Sequence, residues 1–139
     1  AMRRARWGYA AASTGHVAGV AALFGAVLAG DLRLLGAWQS VDHGALARVL
    51  VPVAAGGLAL AAGCGGLLFL AQPAHYLGEP LFLAKMALVA LGAGHAAAVH
   101  LSGGLARADP RARRRAGAVS LAAWTGALVA GRMIAFVAE

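Results

Sequence analysis

The stretch His16-Val-Ala-Gly-Val-Ala-Ala-Leu-Phe-Gly-Ala-Val-Leu-Ala-Gly-Asp31-Leu-Arg33-Leu-Leu-Gly36 decides the fold. It is an apolar run of membrane length, with a histidine near one end and an Asp-x-Arg pair closing the other. With its flank it reads as a helix over residues 13–35, long enough to cross the roughly 30 Å of bilayer hydrocarbon. Small residues recur along it at every fourth position, Ala18, Ala22, Ala26 and Gly30, which is the spacing that lets membrane helices approach closely.

Three further runs match it, over residues 46–70, 81–101 and 116–137. None alternates with a period of two, and turn signals are too widely spaced for hairpins. The third run carries its own small-residue stripe at Ala90, Gly94, Ala98 and Ser102, the fourth at Ala118, Ala122, Gly126 and Ala130. Pro52 falls inside the second run, where a kink is tolerated if neighbours satisfy the freed carbonyl. Short connections favour an up-down-up-down arrangement. The expectation is an all-α integral membrane four-helix bundle, one domain over residues 1–139.

Composition agrees. The chain of 139 residues is 61% hydrophobic and 12% charged, against roughly 45–50% and 25% for a soluble domain. Its mean hydropathy is +0.75. The net charge of +7 does not point to nucleic acid. The arginines flank apolar runs, at Arg3, Arg4 and Arg6 and at Arg107, Arg111, Arg113, Arg114 and Arg115, as topology-setting charges do. The first run is too long for the apolar region of a signal peptide. Cys64 stands alone, without a partner for a disulfide or a CxxC pair.

Four spans place both termini on one side. The opposite side collects Arg33, Arg48 and the Arg107–Arg115 group. By the positive-inside rule that side is cytoplasmic and both termini are outside, although Arg3, Arg4 and Arg6 pull the other way.

Ionisable residues within membrane helices are functional candidates by default. Counting about 1.5 Å per residue places His16, Lys85, Cys64 and Arg132 roughly 4–9 Å inside the terminal side. One candidate therefore comes from each span, with His75, Tyr76 and Glu79 in the loop above. Imidazole and thiolate suit haem iron, copper or zinc, so His16 and Cys64 are candidate metal ligands, as are His95 and His100. Lys85 and Arg132 could hold haem propionates or another anion, or could snorkel to the headgroups. A backbone hydrogen bond is the alternative role for His16, and simple packing the alternative for Cys64. Towards the other side lie Asp31, His43, His95 and His100. Asp31 and Arg33 are expected to pair with charges at the membrane edge, Arg48 among them. His95 and His100 are five residues apart, about 140° around a helix, so one is expected to face the bundle and the other the interface.

The same counting restricts a haem held by two histidines. His16 and His100 lie about 20 Å or more apart and cannot share one iron. The workable pairs are His16 with His75, or His43 with His95 or His100. Paired catalytic carboxylates, a G-x-S-x-G elbow, a P-loop and a dinucleotide fingerprint are all absent, which points away from a stand-alone enzyme.

Several segments resemble the copper-resistance membrane proteins of CopD type. The His16–Gly25 segment resembles their first core helix. Arg48-Val-Leu-Val-Pro52 resembles the start of the next. His75-Tyr76-Leu-Gly-Glu-Pro-Leu-Phe-Leu-Ala-Lys85 resembles the approach to the third. Asp31-Leu-Arg33-Leu-Leu-Gly36 and Gly131-Arg132 are similar to a group of small four-span bacterial relatives of that core. The resemblance implies a bacterial inner membrane and membership among membrane b-type cytochromes. It also implies haem b or copper as cofactor, with electron transfer if haem is bound. It carries over His16, Tyr76 and Lys85. His95 stands about where such proteins often have asparagine. The methionine-rich segments of copper donors are missing, with only Met2, Met86 and Met133 in the chain. The functions compatible with this reading are a small haem redox protein, a metal-handling or small-solute transport protein, and a non-enzymatic assembly subunit. Expected partners are the lipid bilayer, other membrane redox proteins or a second copy of the chain.

Overall fold

The computed structural model describes residues 2–101, 104 and 108–137. Ser102 and Arg107, counted above among stripe and flank residues, lie outside them. Every regular element is helical: α1 (Met2–Leu35), α2 (His43–Ala71), the short α3 (Pro73–Leu77), α4 (Pro80–Leu101) and α5 (Pro110–Val137). The four long helices are each long and apolar enough to cross a membrane. Large apolar side chains stand outward, with Val49 63% and Leu67 62% exposed. Such a surface suits lipid, not water. The chain has the build of a multi-pass membrane protein.

The helices outrun the apolar stretches at their basic ends. α1 begins at Met2, so Arg3, Arg4, Arg6 and Trp7 are helical. α5 begins at Pro110, so Arg111–Arg115 form its first turns and not a loop. Arginine is a good helix former, and each basic cluster joins directly to a long apolar helix. α1 thus runs about 51 Å, some 20 Å beyond the hydrocarbon thickness.

Acidic residues start the later long helices, α2, α4 and α5. Asp42 accepts from the Ala45 amide at 2.8 Å, Glu79 from Leu81 at 3.3 Å and Asp109 from Ala112 at 2.7 Å. Each satisfies an amide the helix leaves without a partner. α1 ends on Gly36, whose φ of +118° suits glycine. The Ala37 amide reaches back to the Leu32 carbonyl at 2.9 Å and Gly36 to Arg33 at 3.2 Å, closing the last turn.

The spatial order is α2–α1–α5–α4. α1 packs on α2 and α5, and α5 packs on α4. Glycines set the close approaches. Gly15, Gly19 and Gly57 line the α1–α2 seam, Gly117 meets α1 at Asp31 and Leu34, and Gly92 receives the ring of Trp124 from α5. The outer helices α2 and α4 do not close the ring. Among the described residues no Cα of one comes within 8 Å of a Cα of the other. Their side chains meet at the α3 end, where the rings of Phe69 and Phe82 stack at 5.7 Å and Tyr76 joins them. Beyond that aromatic plug the two helices leave a groove.

Candidate functional site

The groove holds a cavity of about 400 Å³. Its floor is α1 and α5, its walls α2 and α4. Leu23, Val27, Leu50, Leu58 and Trp124 make it largely apolar. Five polar side chains interrupt that lining, namely Asp31 and Ser120 on the floor, His43 on the α2 wall, and His95 and His100 on the α4 wall. Apolar walls with a few convergent polar groups are the usual build of a small-molecule site.

Asp31 is the unusual member. Three of the five acidic residues, Asp42, Glu79 and Asp109, serve helix starts, and Glu139 lies outside the described residues. Asp31 has no such task. It is 6% exposed, held between α1 and α5 with the Ser120 hydroxyl as its hydrogen-bonding neighbour. Its Oδ2 is buried without a partner. The expected pairing of Asp31 with charges at the membrane edge is not formed among the described residues. Arg33 turns to the connecting loop and donates from Nε to the Val41 carbonyl at 2.8 Å. Arg48 is exposed. A buried polar atom without a partner is costly unless something enters to satisfy it. His43 repeats the pattern, with Nδ1 buried and without a hydrogen-bond partner. Arg33 and Arg113 lie close enough to His43 to act on it electrostatically.

His95 and His100, expected to divide between bundle and interface, are half-buried and exposed respectively. Both line the groove. A wide opening admits a broad arc of α4, so residues about 140° apart flank the same space from its two edges.

The candidates near the terminal side separate. His16 and Cys64 occupy the α1–α2 seam, where Cys64 Sγ packs on Gly15 and the imidazole rests on Gly65. His16 Nδ1 lies 2.8 Å from the Ala61 carbonyl. A carbonyl can only accept, so Nδ1 is the donor. Lys85 lies along Gly131 in the α4–α5 seam, and Arg132 is exposed. His75 is exposed, with its ring edge against Tyr76 at 5.5 Å. Equal depth brought His16 and Cys64 into one seam but left Lys85 and Arg132 apart from them. Among the described residues no three His, Cys, Asp or Glu side chains converge as a metal site.

Tyr76 belongs to the aromatic plug and lies outside the spans. Burial holds its phenol above the ordinary value near 10, and a hydrogen bond with the Tyr9 hydroxyl adds to that effect.

Two groove residues escaped the sequence reading, Ser120 and Trp124. Their signal was a hydroxyl and a tryptophan four residues apart on the fourth span, which places both on one face. Comparison with protein-family models, with curated proteins and with solved structures finds no match.

Proposed function

We propose that this chain binds a small solute in the α2–α4 groove and moves it within or across the membrane. The observation that carries the reading is Asp31, a buried carboxyl with an unpartnered oxygen on the floor of an otherwise apolar cavity. Polar residues held inside membrane bundles commonly mark substrate or ion pathways. The groove is open between α2 and α4, so solute can reach it from the bilayer as well as from the loop end. By arginine placement the loop end bearing Arg33, Arg48 and Arg111–Arg115 is cytoplasmic, in a bacterial inner membrane as the CopD resemblance implies.

The test is a thermal-stability screen of the purified chain in lipid nanodiscs against small solutes. A binding solute raises the unfolding midpoint by mass action. Ala54→Phe, which fills the groove from α2, should abolish the rise. A screen in which no solute shifts the midpoint, or a shift that survives Ala54→Phe, would overturn the reading.

One observation favours haem as a second reading. His43 and the pair His95 and His100 stand on facing walls of one groove, which is the donor arrangement a bis-histidine haem uses. Haem bound there would supply one-electron transfer. Arg33 and Arg113, near His43, would face its propionates. A Soret band that shifts on dithionite reduction and disappears in His43→Ala would support this reading. A colourless preparation would sink it.

A further inference from the structure

Building on the solute-binding reading, we propose that the solute is a lipophilic organic cation, with Asp31 as its counter-charge and the ring of Trp124 beside it. The choice rests on what the groove offers and withholds. It offers one carboxyl oxygen without a partner, on a side chain 6% exposed and turned into the cavity. The neighbouring cation on α1 is committed elsewhere, since Arg33 is tied to the Val41 carbonyl.

The other charge classes fit poorly. An anion would meet the Asp31 carboxyl on the floor. A transition metal needs several convergent donors, and no three are placed to converge among the described residues. A strongly hydrated ion would lose its water against walls of leucine and valine. A cation with an apolar shell avoids that loss, because its surface matches Leu23, Val27, Leu50 and Leu58. Its charge can be answered by one carboxylate and by the face of an aromatic ring, and tryptophan is the strongest such ring. Trp124 lines the same cavity and is held by its seat on Gly92. The unpartnered His43 Nδ1 gives the solute one further polar contact.

Access follows from the same features. Arg33 and Arg113 stand near His43 at the loop end of the groove and repel a cation approaching from water. The gap between α2 and α4 faces hydrocarbon, where a lipophilic cation already partitions. The geometry points to lateral loading from the bilayer.

The experiment compares two probes of matched shape and opposite charge, tetraphenylphosphonium and tetraphenylborate. Each is measured by equilibrium dialysis on the full chain in phosphatidylcholine nanodiscs, with protein-free nanodiscs subtracted. Tetraphenylphosphonium should bind and tetraphenylborate should not. Asp31→Asn should weaken phosphonium binding by about thirtyfold or more, the loss expected when one member of a buried charge pair is removed. Equal binding of both probes, or unchanged phosphonium binding in Asp31→Asn, overturns the cation assignment and leaves solute binding standing. Binding of neither probe to the native chain likewise overturns the cation assignment, and solute binding then stands or falls on the stability screen. The comparison on the native chain decides the matter even if Asp31→Asn does not fold.

Discussion

Gly19 on α1 and Gly57 on α2 each occupy the space that a side chain on the other would need. A Cβ on Gly19 would sit 2.7 Å from the Gly57 carbonyl oxygen and 2.5 Å from the Ala61 nitrogen. A Cβ on Gly57 would sit 2.7 Å from the Gly19 carbonyl oxygen and 2.5 Å from the Leu23 nitrogen. The obstacles are backbone atoms on both sides, so neither helix can yield without moving whole. Gly19→Val should therefore cost about 1–3 kcal/mol or more through overpacking. Gly63→Ala, on a part of α2 with nothing within 4 Å, should be nearly neutral. Detergent-unfolding midpoints of the two variants check the contrast.

Trp124 is both a packing anchor and the groove's aromatic wall. It is 6% exposed, and a Cβ on Gly92 would lie 2.7 Å from its Cε2. Trp124→Ala should cost about 3–5 kcal/mol, as large-to-small changes at buried aromatics do. Gly92→Ala should displace the indole and shift its emission. Unchanged emission from Gly92→Ala, in a background where Trp7 and Trp38 are phenylalanine, would refute the contact.

The helix starts at Asp42 and Asp109 are capped by their own carboxylates. Asp42→Ala and Asp109→Ala should each cost about 1 kcal/mol. Hydrogen exchange should speed up in the first turns of α2 and α5 and nowhere else. Exchange that spreads along either helix would show a larger structural role for the cap.

Tyr76 gives a pH dependence with a definite sign. Its folded-state pKa is raised above 10, by burial first and by Tyr9 second. The unfolded chain therefore releases the proton first as pH rises. The stability this group contributes is complete below about pH 10 and is lost as pH climbs from there through the folded value. Tyr9→Phe should move the Tyr76 transition downwards in a tyrosinate absorbance titration, since these are the chain's two tyrosines. A transition unmoved by Tyr9→Phe would remove the hydrogen bond from the account.

Orientation can be read with one cysteine. In a Cys64→Ala background, Arg114→Cys should be labelled by a membrane-impermeant maleimide in inverted vesicles and protected in intact cells. The opposite pattern would reverse the assigned sidedness.

The sequence shows the four spans plainly, because a run of about 18 or more apolar residues matches the thickness of the hydrocarbon layer. It also shows depth, since rise per residue is fixed. Azimuth was not legible. Helices that are apolar on nearly every side carry no polar face to say which neighbour each edge meets. That is why His16, Cys64, Lys85 and Arg132 shared a predicted layer yet form no single site, with His16 and Cys64 in one seam and Lys85 in another. The same gap placed Asp31 with Arg33 among the charges expected to pair at the membrane edge. Two residues apart on a helix is about 200° of rotation, which turns Arg33 to the loop and Asp31 to α5. The cluster of Asp31, His43, His95 and His100 was legible in depth, and its shared cavity became visible once α2 and α4 were seen to stay apart.

The spatial order α2–α1–α5–α4 also sets an order of assembly. The α1–α2 hairpin can form its seam as soon as Ala71 is made. α4 comes next in synthesis but touches neither of them along its length, and its one long partner is α5. Until α5 inserts, α4 is tethered to the hairpin through α3 and the aromatic plug alone, and the face of Asp31 that Ser120 later meets is bare to lipid. The last span therefore does two things at once: it docks α4 to the rest and builds half of the groove floor. A chain halted before Pro110 would hold a finished hairpin and an unplaced fourth helix, with its one uncommitted acid waiting for cover.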